Sequence, residues 1–231
     1  GEHRDVDAIC RRLVAALGRA GWVNPAVPKD GDDFDLRSIC LAREILARHG
    51  ALADFAFAMQ GLGTGAITLF GTPEQRGRWL PGPRTGRHLT GFALSEPEAG
   101  SDVAAMQMTA EQVSGGFRLD GVKTWISNGG IADQYVVFAK DGPKYTAFVL
   151  AADTPGLSVA ERIDVIAPHP LATLRFDNCL VPPDAVIAER GAGMRVALAS
   201  LDIFRPSVGA AALGLARRAL EESLARAAAR P

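Results

Sequence analysis

Phe92-Ala-Leu-Ser-Glu-Pro-Glu-Ala-Gly-Ser-Asp102, followed by Lys123-Thr-Trp-Ile-Ser-Asn128, decides how the middle of this 231-residue chain is read. The first stretch is a polar turn closing a short apolar strand, Leu89 to Leu94. It crowds Ser95, Ser101, Gly100 and acidic side chains into a few positions. In the second, Trp125 stands two residues from the hydroxyl of Ser127, and alternation along a strand would point both to one face. Two readings stay open. One is a hairpin with a core tryptophan and turn-forming serines and glycine. The other is the wall of a site for a flat ring that gains negative charge on reduction, such as a flavin, which suits an aromatic plane beside hydroxyl and backbone N–H donors.

Outward from this stretch the apolar pattern has period two. Met106 to Val113 reads as a strand, Ser114-Gly-Gly116 as a turn, and Phe117 to Asp120 as the returning strand. Tyr135 to Ala139 and Tyr145 to Leu150 flank Asp141-Gly-Pro143, and Leu174 to Phe176 precedes an exit at Val181-Pro-Pro183. Turns about 8–12 residues apart predict an antiparallel barrel or sandwich of about 100 residues.

On the N-terminal side the period is helical. Val6, Ile9, Leu13 and Leu17 recur at three and four residues and stop near Gly21. Asn24 to Asp35 reads as loop. Asp35 caps a second helix running to His49, with Gly50 as its end. A third helical region starts at Leu52 and is expected to break around its glycines. Thr72 and Pro73 open a short helix, and Pro81-Gly-Pro83 ends the region. The uncharged segment Phe55 to Pro73 is about as long as a membrane span, yet Gln60, Gly61, Gly63 and Gly65 make it read as a buried helix pair. After Gly191-Ala-Gly193 the chain is helical again, rich in Ala, Gly and Leu up to Arg230. The expected class is α+β, with a helical domain at 1–88, a β domain at 89–190 and the first part of a second helical domain at 191–231.

Composition bounds the partners. With 48% hydrophobic and 22% charged residues and a net charge of −1, nothing on the whole chain attracts nucleic acid or an anionic membrane. Cys10, Cys40 and Cys179 are scattered, which points to a cytoplasmic setting rather than a disulfide framework. His3, His49, His88 and His169 lack metal-ligand spacing, so no metal is expected.

Phe-Ala-Leu-Ser-Glu-Pro-x-Ala-Gly-Ser-Asp at 92–102, Gly121-x-Lys-x-Trp-Ile-Ser-Asn128, Val181-Pro182 and Leu201-Asp-x-x-Arg205, in this order, resemble the acyl-CoA dehydrogenase family. The resemblance implies FAD and removal of an α proton and a β hydride from an acyl thioester, CoA-borne or on an acyl carrier protein. It implies a flavin site of Phe92, Leu94, Ser95, Gly100, Ser101, Trp125, Ile126 and Ser127. Ser95 would serve the pyrimidine side, Trp125 would cover the ring, and Ser127 would donate near N5. Ser101 would also touch the thioester carrier, with Asp202, Phe204 and Arg205 completing that site. It further implies an electron acceptor such as an electron-transfer flavoprotein, and an oligomer.

Two departures qualify this. The family's catalytic glutamate has no counterpart here: the usual site lies in a longer C-terminal helical domain than 191–231 provides, and the alternative position, before the family arginine, holds Phe204. A glutamate at 204 is expected to restore a base, while Glu96 and Glu98 are expected to be structural. Arg205, in a small-residue helix, is expected to be buried and paired with Asp202. Ile166-Ala-Pro-His-Pro-Leu-Ala-Thr173 replaces the family's Leu-Gly-x-Arg-x-Ser run, with His169 held stiffly between prolines. A C-terminally truncated dehydrogenase, a heteromer subunit lacking its own base, and a flavin oxidase of the same fold are the resulting alternatives.

Overall fold

The computed structural model describes residues 2–29 and 31–230, with the side chains of residues 2–4, His3 among them, outside that description. Helix α1 is Glu2–Arg19 and α2 is Leu36–His49. Asp35 caps α2 by accepting from the Ser38 amide, and the chain leaves it at Gly50. Helix α3, Ala51–Phe70, runs unbroken through its glycines, contrary to the expected break and the expected helix pair. The reason is tertiary. A Cβ at Gly61 would lie 2.5 Å from the Phe204 ring, and one at Gly63 would lie 2.6 Å from Thr90 Cβ. The glycines let α3 be clamped between two neighbours, and that packing outweighs a propensity cost of about 1 kcal/mol each. Helix α4, Pro73–Trp79, carries a full capping box between Thr72 and Gln75. Pro81–Arg84 forms a further turn of helix, α5, where a plain stop was expected, because proline is compatible with a first helical position.

The strands are β1 Thr90–Ala93, β2 Thr109–Val113, β3 Gly116–Ser127, β4 Gln134–Asp141, β5 Lys144–Ala151, β6 Leu157–Arg162, β7 Leu171–Val181 and β8 Val186–Ile187. They form one eight-stranded sheet in the order β6-β7-β3-β2-β4-β5-β8, with β1 added beside β4. The sheet is mixed rather than wholly antiparallel: β1 pairs β4 in parallel from Thr90↔Gln134 to Ala93↔Val137, and β2 touches β4 in parallel at Thr109↔Lys140. The long polar loop after β1 leaves no tight hairpin, and a parallel partner needs such a long crossover.

Strand β4 shows how the core is divided. Tyr135, Val137 and Ala139 pack with Phe148, Phe117, Ile126 and Leu174 inside the β layer. Val136 and Phe138 face the other way, onto Ala66 and Ile67 of α3 and Val196 and Ala197. Both faces of β4 are therefore buried, each large side chain contributing about 1.5–3 kcal/mol.

The last helix, α6, spans Gly193–Ala228 as one 36-residue rod. It lies so close to α2 that a Cβ at Gly214 would sit 2.1 Å from the Glu44 carbonyl oxygen. Arg217–Glu44 and Arg48–Glu221 ion pairs, both at 2.8 Å, tie the two helices. By length and composition α6 could also cross a membrane, with 33% of its apolar window buried. Leu198, Val208, Leu213, Leu215, Leu220 and Leu224 remain exposed along it.

Candidate flavin site

The site grows from an irregularity in β3. Opposite β7, Lys123 pairs with Leu174 and Ile126 with Ala172, so β3 spends one residue more than its partner between these pairs. That is a β-bulge. Trp125 sits in it with φ of +58°, a left-handed conformation that costs a bulky residue about 1–3 kcal/mol. The expected sharing of one face by Trp125 and Ser127 rested on regular alternation, and the bulge cancels it. Ile126 turns into the β core, Ser127 is half-buried, and Trp125 stands 59% exposed. The core-tryptophan reading is thereby excluded. Asn128, also left-handed at +59°, anchors the end of the segment by donating from Nδ2 to the Thr90 carbonyl at 2.9 Å.

The polar turn after β1 comes to the same place. The Thr124 amide donates to the Ser95 carbonyl at 3.0 Å, so Ser95 adjoins the Trp125 bulge. Ser95 is half-buried, and Gly100 and Ser101 are exposed. Phe92 and Leu94 are buried, with the Phe92 ring 4.9 Å from that of Phe138, so side chains at these two positions serve the core.

Beneath the bulge lies a group that sequence reasoning assigned no role. Lys123 is fully buried and donates from Nζ to the Leu94 carbonyl at 3.0 Å and to Glu96 Oε1 at 2.8 Å. Glu96 also accepts from the Gln107 amide at 2.6 Å and the Met108 amide at 3.0 Å. Burial drives the Lys123 pKa down to about 8, against the pull of Glu96. The available signal was a lysine inside a strand, close to Val122, Trp125 and Ile126. Glu98 is exposed on the turn.

The α6 residues are arranged otherwise than expected. Arg205 and Asp202 do pair, at 3.6 Å, but their side chains are 60% and 74% exposed, so this is a weak surface contact and not a buried ion pair. On this helix it is positions 204 and 207 that face inward. Phe204 is 5% exposed among Ala26, Ile39, Ala42 and Phe57, its ring edge-on to Phe34 at 5.8 Å. A glutamate there would enter the helical core, which corrects the expectation that it would supply a base. His169 packs its ring on Phe55 at 4.8 Å, and its Nδ1 bonds to the Ala167 carbonyl at 2.8 Å.

The structure thus brings Ser95 and the Trp125–Ser127 segment together and sets Asp202 and Arg205 apart as an exposed pair on α6. A cavity of about 670 Å³ lies elsewhere, between α4 and the ends of β5 and β7. No cluster of metal ligands occurs among the described residues. An exposed aromatic plane, strained in its backbone and set beside the Ser95 turn, fits a flat aromatic ring stacked on it.

Known proteins resemble this chain over nearly its whole length. The models of the N-terminal, middle and C-terminal domains of acyl-CoA dehydrogenases match residues 2–87, 91–179 and 191–231. The "Probable acyl-CoA dehydrogenase" of Mycobacterium leprae is 36% identical over 95% of this chain and 60% of its own length. Among solved structures, an acyl-CoA dehydrogenase complexed with FAD from Bacillus anthracis superposes with a TM-score of 0.90 at 32% identity, over 100% of this chain and 42% of that one. The prolyl acyl carrier protein oxidase AnaB gives 0.87 at 28%, over 96% and 62%. The chain spans about 60% of the length of the curated relatives it matches. Since three successive domain models cover nearly all of it in the family's order, the chain belongs to the acyl-CoA dehydrogenase family.

Proposed function

We propose that this chain binds FAD against Ser95, Ser101 and the Trp125–Ser127 segment, in the service of α,β-dehydrogenation of an acyl thioester to the 2-enoyl thioester. The observation that carries the reading is Trp125, a large aromatic held at a strained backbone angle with 59% of its surface exposed. When bound, FAD supplies the acceptor for the β hydride. Trp125 covers one side of the ring and excludes water from it. The Ser95 and Ser127 hydroxyls donate toward the ring, where fixed dipoles favour developing negative charge. Asp202 and Arg205, exposed on α6, meet the polar thioester carrier. Phe204 is turned into the helical core, so none of the residues assembled here is a candidate base for the α proton. That carboxylate, the electron acceptor (an electron-transfer flavoprotein or similar) and further helices over the apolar face of α6 complete the assembly. The exposed leucines of α6 favour such cover, from the same protein or a partner subunit.

A second reading, a flavin oxidase acting on a carrier-protein thioester, is supported by the oxidase neighbour and by the unusual loop at Ile166–Thr173. Titration of the purified chain with FAD, followed by flavin fluorescence, tests the main reading. Saturable binding is expected, weakened about three- to tenfold in Trp125→Ala, the loss of one aromatic stack. A folded chain that takes up no FAD would overturn it. Rapid reoxidation of the reduced flavin by oxygen would move the assignment to the oxidase.

A further inference from the structure

The buried Lys123–Glu96 pair belongs to no step above. It sits where both ends of the loop from Glu96 to Met108 meet β3. At the entrance, the Leu94 carbonyl accepts from Lys123 Nζ at 3.0 Å and the Ser95 carbonyl accepts from the Thr124 amide at 3.0 Å. At the exit, the Gln107 and Met108 amides donate into the Glu96 carboxylate, one to each oxygen. Lys123 Nζ closes the junction on Oε1 at 2.8 Å. Between the two ends, Ala99 and Met106 are buried and the Ala104 carbonyl accepts from Tyr145 Oη at 2.6 Å, while the tip of the loop projects to solvent. Gly100, Ser101 and Asp102 are exposed, a Cβ at Gly100 would meet nothing within 4 Å, and Asp102 merely caps a single helical turn at Val103–Ala105.

We propose that Lys123 and Glu96 are positioning residues: together they latch the Ser95–Ser101 loop to the strand that carries Trp125, and so set the separation of the two walls of the flavin site. This rests on the flavin reading above. The chemistry suits a latch. An ammonium buried away from water and a carboxylate with backbone amides on both oxygens are each satisfied only in the closed arrangement, so opening the loop strands a charge. Two residues along β3 from Lys123, the bulge turns Trp125 outward. The lysine therefore couples the loop to the strained residue through one short stretch of backbone. A purely structural pair would stabilise the fold without bearing on ligand affinity, and the buried pair of Arg43 and Asp54, joining α2 and α3 at 2.7 Å with Ser207 Oγ accepting from Arg43, provides that comparison.

Two measurements on the full chain decide it. In the FAD-free protein, Lys123→Met and Glu96→Gln should speed hydrogen exchange across residues 97–108 roughly tenfold or more while exchange in α2 and α3 stays put. With FAD, both should weaken binding about ten- to hundredfold, the loss of a hydrogen bond to a charged group, whereas Asp54→Asn should lower stability and leave FAD affinity alone. Glu96→Gln keeps an acceptor for one backbone amide, so it gives a readout if Lys123→Met fails to fold. Unchanged exchange in the loop, or FAD affinity falling equally in Asp54→Asn, overturns the latch. Failure of the unaltered chain to bind FAD overturns the flavin reading instead, and the exchange result still decides whether the latch exists.

Discussion

Phe204 gives the sharpest test of how α6 is oriented, because the family resemblance and the packing put the same residue to opposite uses. Its ring is 5% exposed, enclosed by Ala26, Ile39, Ala42 and Phe57, and edge-on to Phe34. Phe204→Ala is expected to cost about 3–5 kcal/mol in lost transfer and residual cavity. Phe204→Glu adds an ionisation penalty. A carboxyl group in that cluster folds neutral, and protonating a glutamate of ordinary pKa near 4.3 costs about 1 kcal/mol at pH 5 and about 3.7 kcal/mol at pH 7. The unfolded state releases its proton first, so the penalty grows with pH, by roughly 2.6 kcal/mol across that interval. Added to the lost apolar contact, this approaches a typical whole-domain stability of about 5–15 kcal/mol. Urea unfolding followed by circular dichroism at the two pH values, with Phe204→Gln as the uncharged reference, reads the difference directly. Phe204→Leu, about 1 kcal/mol destabilised, guards against a variant too unstable to measure. A Phe204→Glu protein as stable as the Gln variant at both pH values would place residue 204 in solvent, and the account of α6 would be wrong.

Two further outcomes are expected. Gly214→Ala should destabilise by about 1–3 kcal/mol despite its gain in helix propensity, since the new methyl meets the Glu44 carbonyl at 2.1 Å, whereas Gly209→Ala, with open space around it, should stabilise by about 1 kcal/mol; equal effects in a denaturant titration would refute the close α2–α6 crossing. The Arg190 guanidinium holds the Asp141 carboxyl below the usual carboxylate range through two hydrogen bonds, and the Thr146 hydroxyl adds a third. That stability is present above the unfolded-state pKa and is lost as pH falls through the depressed one, so Asp141→Asn should flatten the acid limb of stability against pH; an unchanged acid limb would show that the pair carries no linkage.

Much of this protein was determined by local sequence. Asp35 before α2, and Thr72-Pro73 with Gln75 at the head of α4, are capping chemistries that act over three residues, so their helices follow from the chain wherever it is placed. The change of period near His88 and again near Gly191 separates helix from sheet for the same reason, and the ordered motifs at 92–102 and 121–128 carry the family. Only the tertiary structure decided what depends on partners distant in sequence. Glycines that read as a break in α3 became its points of contact, because Phe204 and Thr90 fill the space their missing side chains leave. The parallel pairing of β1 with β4 needs a crossover that alternation does not encode. Arg205 read as buried and Phe204 as facing the reaction, yet helical period alone does not say which face of α6 meets α2 and α3. The bulge that turns Trp125 outward arises from one extra residue counted against β7, and the burial of Lys123 on Glu96 from a loop closing back on β3. A strand's faces are local only while its pairing is regular. Where pairing slips by a residue, the partner strand decides which side chain reaches solvent, and here that is the tryptophan on which the proposed flavin site depends.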